Sequence, residues 1–306
     1  MTVPTNSKDG GVKSGEGDHV RAIPNGFEAY RLMLERDGFV SIQYFATPAD
    51  VRFIDTTLRA LLRDGTGFEE GTRRDLVDPD DTLNSNRLTE LMLPYHHAPD
   101  LHRTEYFAQA LNLARFILGP EAEFVFDHAI LKPSFHGSET PWHQDEAYHS
   151  AENHGRRQIA IWMPTTTATV ENGCMRYMPG SHKGGVLTHR PYGGDERVHG
   201  LECIGSFDPS QAAYCPLEAG GIAIHDGRTL HGAGSNSTPD ERLAYICIFA
   251  SPTKRVVKSH EFDWLNRRAE TAVRRRKRWL WLKGGILFVL ARRARRTALR
   301  KKVVPR

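Results

Sequence analysis

The sequence lacks the paired cysteines that form disulfide frameworks. Its four cysteines are scattered through 306 residues without a C-x-x-C pair, at Cys174, Cys203, Cys215 and Cys247. This spacing favours reduced thiols, and therefore a reducing compartment such as the cytoplasm. Residues 1–20, which begin MTVPTNSKDGG, contain no apolar run. We therefore expect a flexible N-terminal tail there and not a signal peptide.

Acidic residues are missing from the C-terminal part of the chain. Residues 271–306 contain 14 Lys and Arg and no Asp or Glu, which leaves 27 basic and 37 acidic residues in residues 1–270, a net charge of −10. The sequence therefore predicts an acidic body that is followed by a basic tail, residues 263–306. Such a block of like charge usually contacts a negatively charged partner or stays solvated.

The tail also lacks a stretch long enough to cross a membrane. Its apolar run, residues 279–291, holds 13 residues, whereas a membrane-spanning helix needs about 20. Trp279 and Trp281 beside basic residues are typical of peripheral contact with anionic lipids. The alternative is a C-terminal helix that packs on the domain and has a solvated basic end. Nucleic acid is a weaker candidate partner, because no recognition fold accompanies the charge.

No internal repeat is visible, and the hydrophobic period changes once along the chain. Helical spacing predicts helices over residues 26–37, from Pro48 onward, and up to Gly119. The polar stretch 63–95 predicts a long loop. From residue 121 short β-rich runs follow, among them EFVFDHAILK, QIAIWMPTT, GIAIHD and LAYICIFA. This order predicts one domain, residues 21–262, that is mainly β with flanking helices, as a sandwich or barrel.

The stretch TPWHQDEAYH places His143 and Asp145 two residues apart. In a strand, residues i and i+2 point to the same face, so both side chains could reach one metal ion. An isolated H-x-D also occurs by chance as a surface pair, so the hypothesis needs further ligands.

A further ligand is available in DGRTLHGAGSNSTPDERLAYICIF. His231 follows the strand GIAIHD, and Arg242 begins the next strand eleven residues later. A hairpin-like return would bring Arg242 beside His231. Two His and one carboxylate form the facial triad that leaves positions open on Fe(II) for a 2-oxo acid and O₂. An Arg suits the remote carboxylate of such a cosubstrate.

Three segments together resemble the phytanoyl-CoA dioxygenase family of Fe(II)/2-oxoglutarate oxygenases. They are WHQD (142–145), ENGCMRYMPGSHKGG (171–185) and LHGAGSNSTPDERLAY (230–245). The resemblance covers residues 26–255 and is densest over 127–250. It implies a double-stranded β-helix, that is, a cupin-like jelly roll. It implies Fe(II) on His143, Asp145 and His231, 2-oxoglutarate on Arg242, and Trp162 and His128 beside that cosubstrate.

Other polar residues near these motifs have two interpretations each. His225 precedes Asp226, and it could bind the metal in place of His231, whose spacing to Arg242 fits the family better. Tyr148 and His149 follow the H-x-D pair and contact either substrate or the core.

The resemblance implies an enzyme that hydroxylates an unactivated C–H bond and releases succinate and CO₂. Related halogenases have a small residue where this chain has Asp145, so halogenation is not expected. The substrate class is a small molecule or a lipid-like amphiphile. A metal-binding jelly roll without turnover and a membrane-surface adaptor are the alternatives. The sequence carries no signal for oligomeric state.

Overall fold

The computed structural model describes residues 27–79, 87–149, 155–254 and 262–285. The N-terminal tail predicted over residues 1–20 lies outside these described residues. Residues 286–306, the end of the predicted basic tail, also lie outside them.

The helices form where capping signals and apolar spacing predict them. Thr47 accepts a hydrogen bond from the Asp50 amide (3.1 Å) and Thr104 one from the Phe107 amide (3.2 Å), so each side chain caps a helix. Gly38 ends the first helix with φ +87°, a conformation that favours glycine. The helices whose bounds lie within the described residues are α1 (Glu28–Asp37), α2 (Pro48–Arg63), α3 (Glu105–Leu118) and the short α4 (Asp263–Arg267), and residues 271–285 are also helical.

Strands dominate the rest of the described chain and form a jelly roll. The strands are β1 (Phe39–Ile42), β2 (Arg73–Asp75), β3 (Thr89–Met92), β4 (Glu123–Lys132), β5 (Thr140–His143), β6 (Arg156–Pro164), β7 (Met175–Tyr177), β8 (His189–Pro191), β9 (Leu201–Cys203), β10 (Ala213–Cys215), β11 (Ile222–Asp226), β12 (His231–Ala233) and β13 (Arg242–Lys254). The main sheet has the order β1-β11-β6-β13-β4-β3-β2, and a smaller sheet has the order β10-β7-β12-β5. Strands β8 and β9 form a separate pair.

The prediction of a long loop over residues 63–95 was wrong in part. Strands β2 and β3 lie in this stretch and extend the main sheet beyond β4. Leu91 of β3 pairs with Ala129 of β4 and is fully buried. The sequences RRD and TELM are too short and too polar to show a β period. Pairing with β4 therefore decides their structure.

The central strands of the main sheet are apolar on both faces, because each face packs against another layer. One face of β6 and β13 packs on α2 and α3 and forms the larger core. The other face points toward the smaller sheet. This two-sided burial explains why QIAIWMP and LAYICIFA are almost continuously apolar. Core residues on the helix side include Leu58, Leu113, Ile159, Ile161, Leu243 and Phe249, and those on the inner side include Ala160, Trp162, Ile246 and Ile248.

The region predicted as a C-terminal tail begins with a segment that packs on the domain. Trp264 is buried, and its indole N–H donates to the carbonyl oxygen of His189 (2.7 Å). Residues 271–285 are helical, and the Arg275 guanidinium lies 3.9 Å from the ring centre of Phe68. Further along this helix the side chains are exposed, with Trp281 73% exposed. Across the described ranges, no helix combines the length and the apolar character that crossing a membrane requires.

Candidate active site

A cavity of about 320 Å³ lies between the inner faces of the main sheet and the smaller sheet. Its apolar walls come from both sheets and include Phe126, Trp162, Met175, Ile246 and Ile248. Every residue that the sequence singled out for iron, cosubstrate or substrate lines this cavity. They are His128, His143, Asp145, Tyr148, His149, Trp162, His231 and Arg242.

His143, Asp145 and His231 converge because β5 pairs with β12. His143 and His231 stand directly opposite each other in this antiparallel pair. Asp145 does not lie on the strand, as the i, i+2 argument assumed. It begins the 3₁₀ turn that follows β5. One ligand atom from each of the three residues lies within 4.8 Å of the others.

Backbone carbonyls orient the two histidines. The Nδ1 of His143 donates to the carbonyl oxygen of Pro141, and the Nδ1 of His231 to that of Thr229, each over 2.8 Å. The Nε2 atoms then carry the lone pairs, and they lie 3.6 Å and 3.7 Å from Asp145 Oδ1. A carbonyl that fixes the tautomer in this way is the usual support of a metal-binding imidazole.

The charge states of these groups suit a divalent cation. Burial lowers the pKa of both His143 and His231, so both imidazoles are neutral at neutral pH. Burial alone would raise the pKa of Asp145, but His231, His225 and His143 outweigh it and lower that pKa. A neutral His pair with an ionised carboxylate is the donor set of non-haem Fe(II) sites.

Gln144 faces away from the cavity and ties together the loops behind the ligands. Its amide nitrogen donates to the carbonyl oxygen of Arg228 (2.6 Å), and its amide oxygen accepts from the Leu187 amide (2.7 Å). It is fully buried between the two candidate ligands of the H-x-D motif. The middle residue of the motif therefore holds in place the turn that leads to His231.

Arg242 is buried without a partner for most of its guanidinium. Its side chain is 1% exposed, and its Nε and Nη1 have no hydrogen-bond partner among the described residues. Its guanidinium lies 5.4 Å from the ring centre of Trp162, and burial lowers its pKa to about 10. A buried cation without a counter-charge is costly. A carboxylate ligand in the cavity would satisfy this fork.

His128 and Tyr148 line the cavity with their polar ends already bonded. The Nδ1 of His128 lies 2.7 Å from Glu90 Oε1. The hydroxyl of Tyr148 accepts a hydrogen bond from the Leu201 amide (3.1 Å), and its ring stacks on His199 at 5.1 Å. The role of His128 beside 2-oxoglutarate, and those of Tyr148 and His149 toward substrate, stay predictions.

Sequence reasoning missed a buried cluster of charges at the same cavity. Arg74 pairs with Glu90 (2.7 Å) and with Glu270 (3.2 Å). Glu270 also lies 3.1 Å from His199 and 3.0 Å from Arg268. Arg74 and Glu90 come from the predicted loop, Arg268 and Glu270 from the predicted tail, and His199 from the segment between β8 and β9. Only the fold brings them together, and no local motif signals them.

Gln158 is a second cavity residue that sequence reasoning missed. It is 6% exposed, lines the cavity, and its side-chain amide makes no hydrogen bond to the described residues. A Cβ on Gly227 would lie 3.7 Å from Gln158 Cβ and 3.9 Å from Asp145 Cβ. Gln158 is therefore close to the candidate metal ligands. It begins the apolar run QIAIWMP, and its polar side chain on the inner face of β6 is the one sequence feature that could have pointed to a role in the cavity.

The cluster of Arg74, Glu90, His199, Arg268 and Glu270, called the Glu270 cluster below, leads to a prediction about acid stability. Burial alone would raise the pKa of Glu270, but His199, Arg74 and Arg268 lower it to about 2, against an ordinary value of 4.5. A carboxylate with a lowered folded-state pKa stabilises the fold above pH 4.5 and loses this contribution as pH falls to 2. We expect a loss of about 3 kcal/mol in the free energy of unfolding over this window. Urea unfolding at several pH values measures it.

Glu270→Gln should flatten this pH dependence, and the exposed control Glu121→Gln should leave it unchanged. Equal slopes in the two variants between pH 4.5 and pH 2 would show that the cluster does not stabilise the fold.

Comparison with known proteins gives the family. The phytanoyl-CoA dioxygenase (PhyH) family model matches residues 34–244. The crystal structure of EvdO2 from Micromonospora carbonacea var. aurantiaca complexed with 2-oxoglutarate is 31% identical with a TM-score of 0.65. The similarity covers 78% of this chain and 97% of that one.

Two curated relatives extend this result. The ectoine dioxygenase of Sphingopyxis alaskensis is 23% identical over 80% of this chain and 84% of its own length. The probable alpha-ketoglutarate-dependent hypophosphite dioxygenase of Stutzerimonas stutzeri is 30% identical, but the match spans only about half of each protein, 46% and 49%. The chain belongs to the phytanoyl-CoA dioxygenase family and is an Fe(II)- and 2-oxoglutarate-dependent dioxygenase.

Proposed function

We propose that the enzyme hydroxylates an unactivated C–H bond of a small molecule. His143, Asp145 and His231 hold Fe(II), and Arg242 holds the remote carboxylate of 2-oxoglutarate. One observation carries this assignment. Three convergent ligand atoms line the same cavity as a buried guanidinium whose Nε and Nη1 have no hydrogen-bond partner among the described residues.

When bound, iron would supply the oxidising power together with 2-oxoglutarate and O₂, with succinate and CO₂ as the products of the cosubstrate. The protein supplies position and shielding. Two imidazoles and one carboxylate leave further positions of the metal open for cosubstrate and oxygen. Arg242 gives a bidentate fork to the carboxylate, with Trp162 against it. The apolar walls keep water away from the reacting centre.

Hydroxylation is favoured over halogenation because Asp145 occupies the position that a halide would need. The carboxylate is held by His225, whose Nε2 lies 3.2 Å from Asp145 Oδ2, so it is part of a built site.

A small substrate with polar groups fits the cavity. The walls are largely apolar, but the Gln158 amide, His128 and the Arg74–Glu90 pair also line it. The two cations and two anions of the Glu270 cluster balance, so the cluster offers no net charge to an ionic substrate. The curated relative named for ectoine supports a small-molecule substrate.

Removing any one iron ligand should abolish turnover without unfolding the protein. We expect His143→Ala, Asp145→Ala and His231→Ala each to lose substrate-independent conversion of 2-oxoglutarate to succinate at least 100-fold. The measurement is succinate formation under air with Fe(II), with melting temperature as the folding control.

His182→Ala is the matched control, since His182 is buried and bonds the Glu35 carbonyl oxygen away from the cavity. Wild-type turnover in His231→Ala would remove this residue from the ligand set. A wild-type protein that binds Fe(II) and 2-oxoglutarate but forms no succinate would favour a metal-binding module over an enzyme.

Arg242→Lys should weaken 2-oxoglutarate binding, because a point charge replaces a bidentate fork. We expect the KM for 2-oxoglutarate to rise at least 10-fold while iron affinity stays within twofold. Succinate formation and a metal titration measure the two quantities. Arg156→Lys is the control, since Arg156 bonds Glu123 and the Ser251 carbonyl oxygen outside the cavity. An unchanged KM in Arg242→Lys would refute the role of Arg242.

We also propose peripheral contact with an anionic membrane through the C-terminal helical residues. Three consecutive large apolar side chains are exposed there: Leu280 (52%), Trp281 (73%) and Leu282 (45%). The basic run 274–278 directly precedes them, and its members other than Arg275 are exposed. Each basic residue near an anionic surface contributes about 1 kcal/mol to binding. The inserted Trp and Leu side chains would add apolar contact.

Point variants test the membrane contact better than truncation, because Thr271 and Ala272 are buried and Arg275 packs on Phe68. Trp281→Ala combined with Leu282→Ala should lower the protein's partition onto phosphatidylserine-containing vesicles several-fold at low salt, while 2-oxoglutarate turnover is unchanged. Leu32→Ala, on exposed α1 surface, is the control. Co-sedimentation measures the partition. No wild-type binding to these vesicles, or equal binding by the double variant, would refute the contact.

A further inference from the structure

His225 lies against the candidate metal site but outside its ligand set. It stands on β11 of the main sheet, 3% exposed, and its ring centre is 4.2 Å from that of His231. Its Nε2 is 3.2 Å from Asp145 Oδ2, and its Nδ1 is 3.2 Å from the Tyr177 hydroxyl. In the described chain, the group of convergent ligand atoms comprises His143, Asp145 and His231, without His225.

The two oxygens of Asp145 therefore have different neighbours. Oδ1 faces the Nε2 atoms of His143 and His231, at 3.6 Å and 3.7 Å. The nearest carboxylate oxygen to His225 is Oδ2, at 3.2 Å from its Nε2. One oxygen points at the place where a metal would sit, and the other is engaged by a hydrogen-bond donor from the opposite sheet.

The hydrogen-bond directions follow from the chemistry of the three groups. An ionised carboxylate only accepts, so His225 Nε2 must donate to Asp145. In the neutral imidazole, His225 Nδ1 then accepts from the Tyr177 hydroxyl. Tyr177 is fully buried, burial raises its pKa, and its ring stacks on Phe39 at 4.6 Å and 11°. The hydroxyl thus stays protonated and its ring is held in place.

We propose that His225 is a positioning residue that holds Asp145 Oδ2 away from the iron, so that Asp145 binds through Oδ1 alone, and that Tyr177 fixes the tautomer of His225. This inference rests on the proposed ligand set. A carboxylate that is free to rotate could chelate a metal through both oxygens and fill one of the positions that cosubstrate and oxygen need. Outer partners of this kind change metal affinity by about 10–100-fold.

Three variants separate this role from simple packing. His225→Leu removes the donor and keeps an apolar side chain. His225→Gln keeps an N–H donor that can reach Asp145. Tyr177→Phe removes only the hydroxyl that selects the tautomer. His182→Leu is the matched control, because His182 is another buried histidine that bonds a backbone carbonyl far from Asp145 in the chain.

The measurements are anaerobic Fe(II) titration of the metal-free protein and the visible absorption band of the Fe(II)–2-oxoglutarate complex. His225→Leu should raise the Kd for Fe(II) 10- to 100-fold and shift or broaden the band. His225→Gln should restore most of the affinity, and Tyr177→Phe should raise the Kd several-fold. The control should match the wild type. Melting temperatures of the metal-free proteins show whether each variant is folded.

The outcomes separate this inference from the proposed function. Wild-type affinity and spectrum in His225→Leu, with metal binding lost in His231→Ala, would overturn the positioning role and keep the ligand set. Metal binding lost in His225→Leu but retained in His231→Ala would make His225 the ligand and overturn both. Should His225→Leu not fold, Tyr177→Phe provides the test: a wild-type Kd and absorption band in this variant would overturn the proposal, and a several-fold rise in the Kd would support it.

Discussion

The antiparallel pairing of β5 with β12 is the constraint on which the site depends. It sets His143 opposite His231, although 88 residues separate them in the chain. Directly opposed residues in such a pair have Cβ atoms about 4.5–5.5 Å apart, which suits two ligands of one metal ion. The turn after β5 then adds Asp145, and the carbonyls of Pro141 and Thr229 fix the rings. Two of the three candidate metal ligands thus stand on strands and the third on the adjoining turn, so the candidate site is preorganised.

The two sheets contribute different residues to the cavity. The smaller sheet carries the candidate iron ligands, while the main sheet carries Arg242, Gln158 and His225 on its inner face. Arg242 illustrates the cost of this arrangement, because a buried guanidinium whose Nε and Nη1 have no partner among the described residues destabilises the fold. Such local strain is typical of functional sites, where stability gives way to ligand affinity.

Much of this organisation could be predicted from the sequence. The helix caps at Thr47 and the stop at Gly38 are local signals, and the apolar runs of β6 and β13 follow from burial on both faces. His143, Asp145, His231 and Arg242 could be selected as candidates because H-x-D and the eleven-residue spacing are sequence patterns. The jelly-roll fold was predicted from the resemblance to the phytanoyl-CoA dioxygenase family.

The rest depends on contacts between distant parts of the chain. Strands β2 and β3 exist through pairing with β4, and the Arg74–Glu270 pair joins positions 196 residues apart. His225 could be recognised as a candidate ligand from its neighbour Asp226. That it instead faces Asp145 Oδ2 becomes visible only when β11 is placed beside the smaller sheet.

The proposed iron ligands and the role of Arg242 are tested most directly by a crystal structure, from crystals grown anaerobically with Fe(II) and 2-oxoglutarate and with anomalous scattering recorded at the iron edge. We expect one iron peak bound by the Nε2 atoms of His143 and His231 and by Oδ1 of Asp145, with the remote carboxylate of 2-oxoglutarate on Arg242. An iron peak bound by His225, or 2-oxoglutarate density away from Arg242, would contradict it.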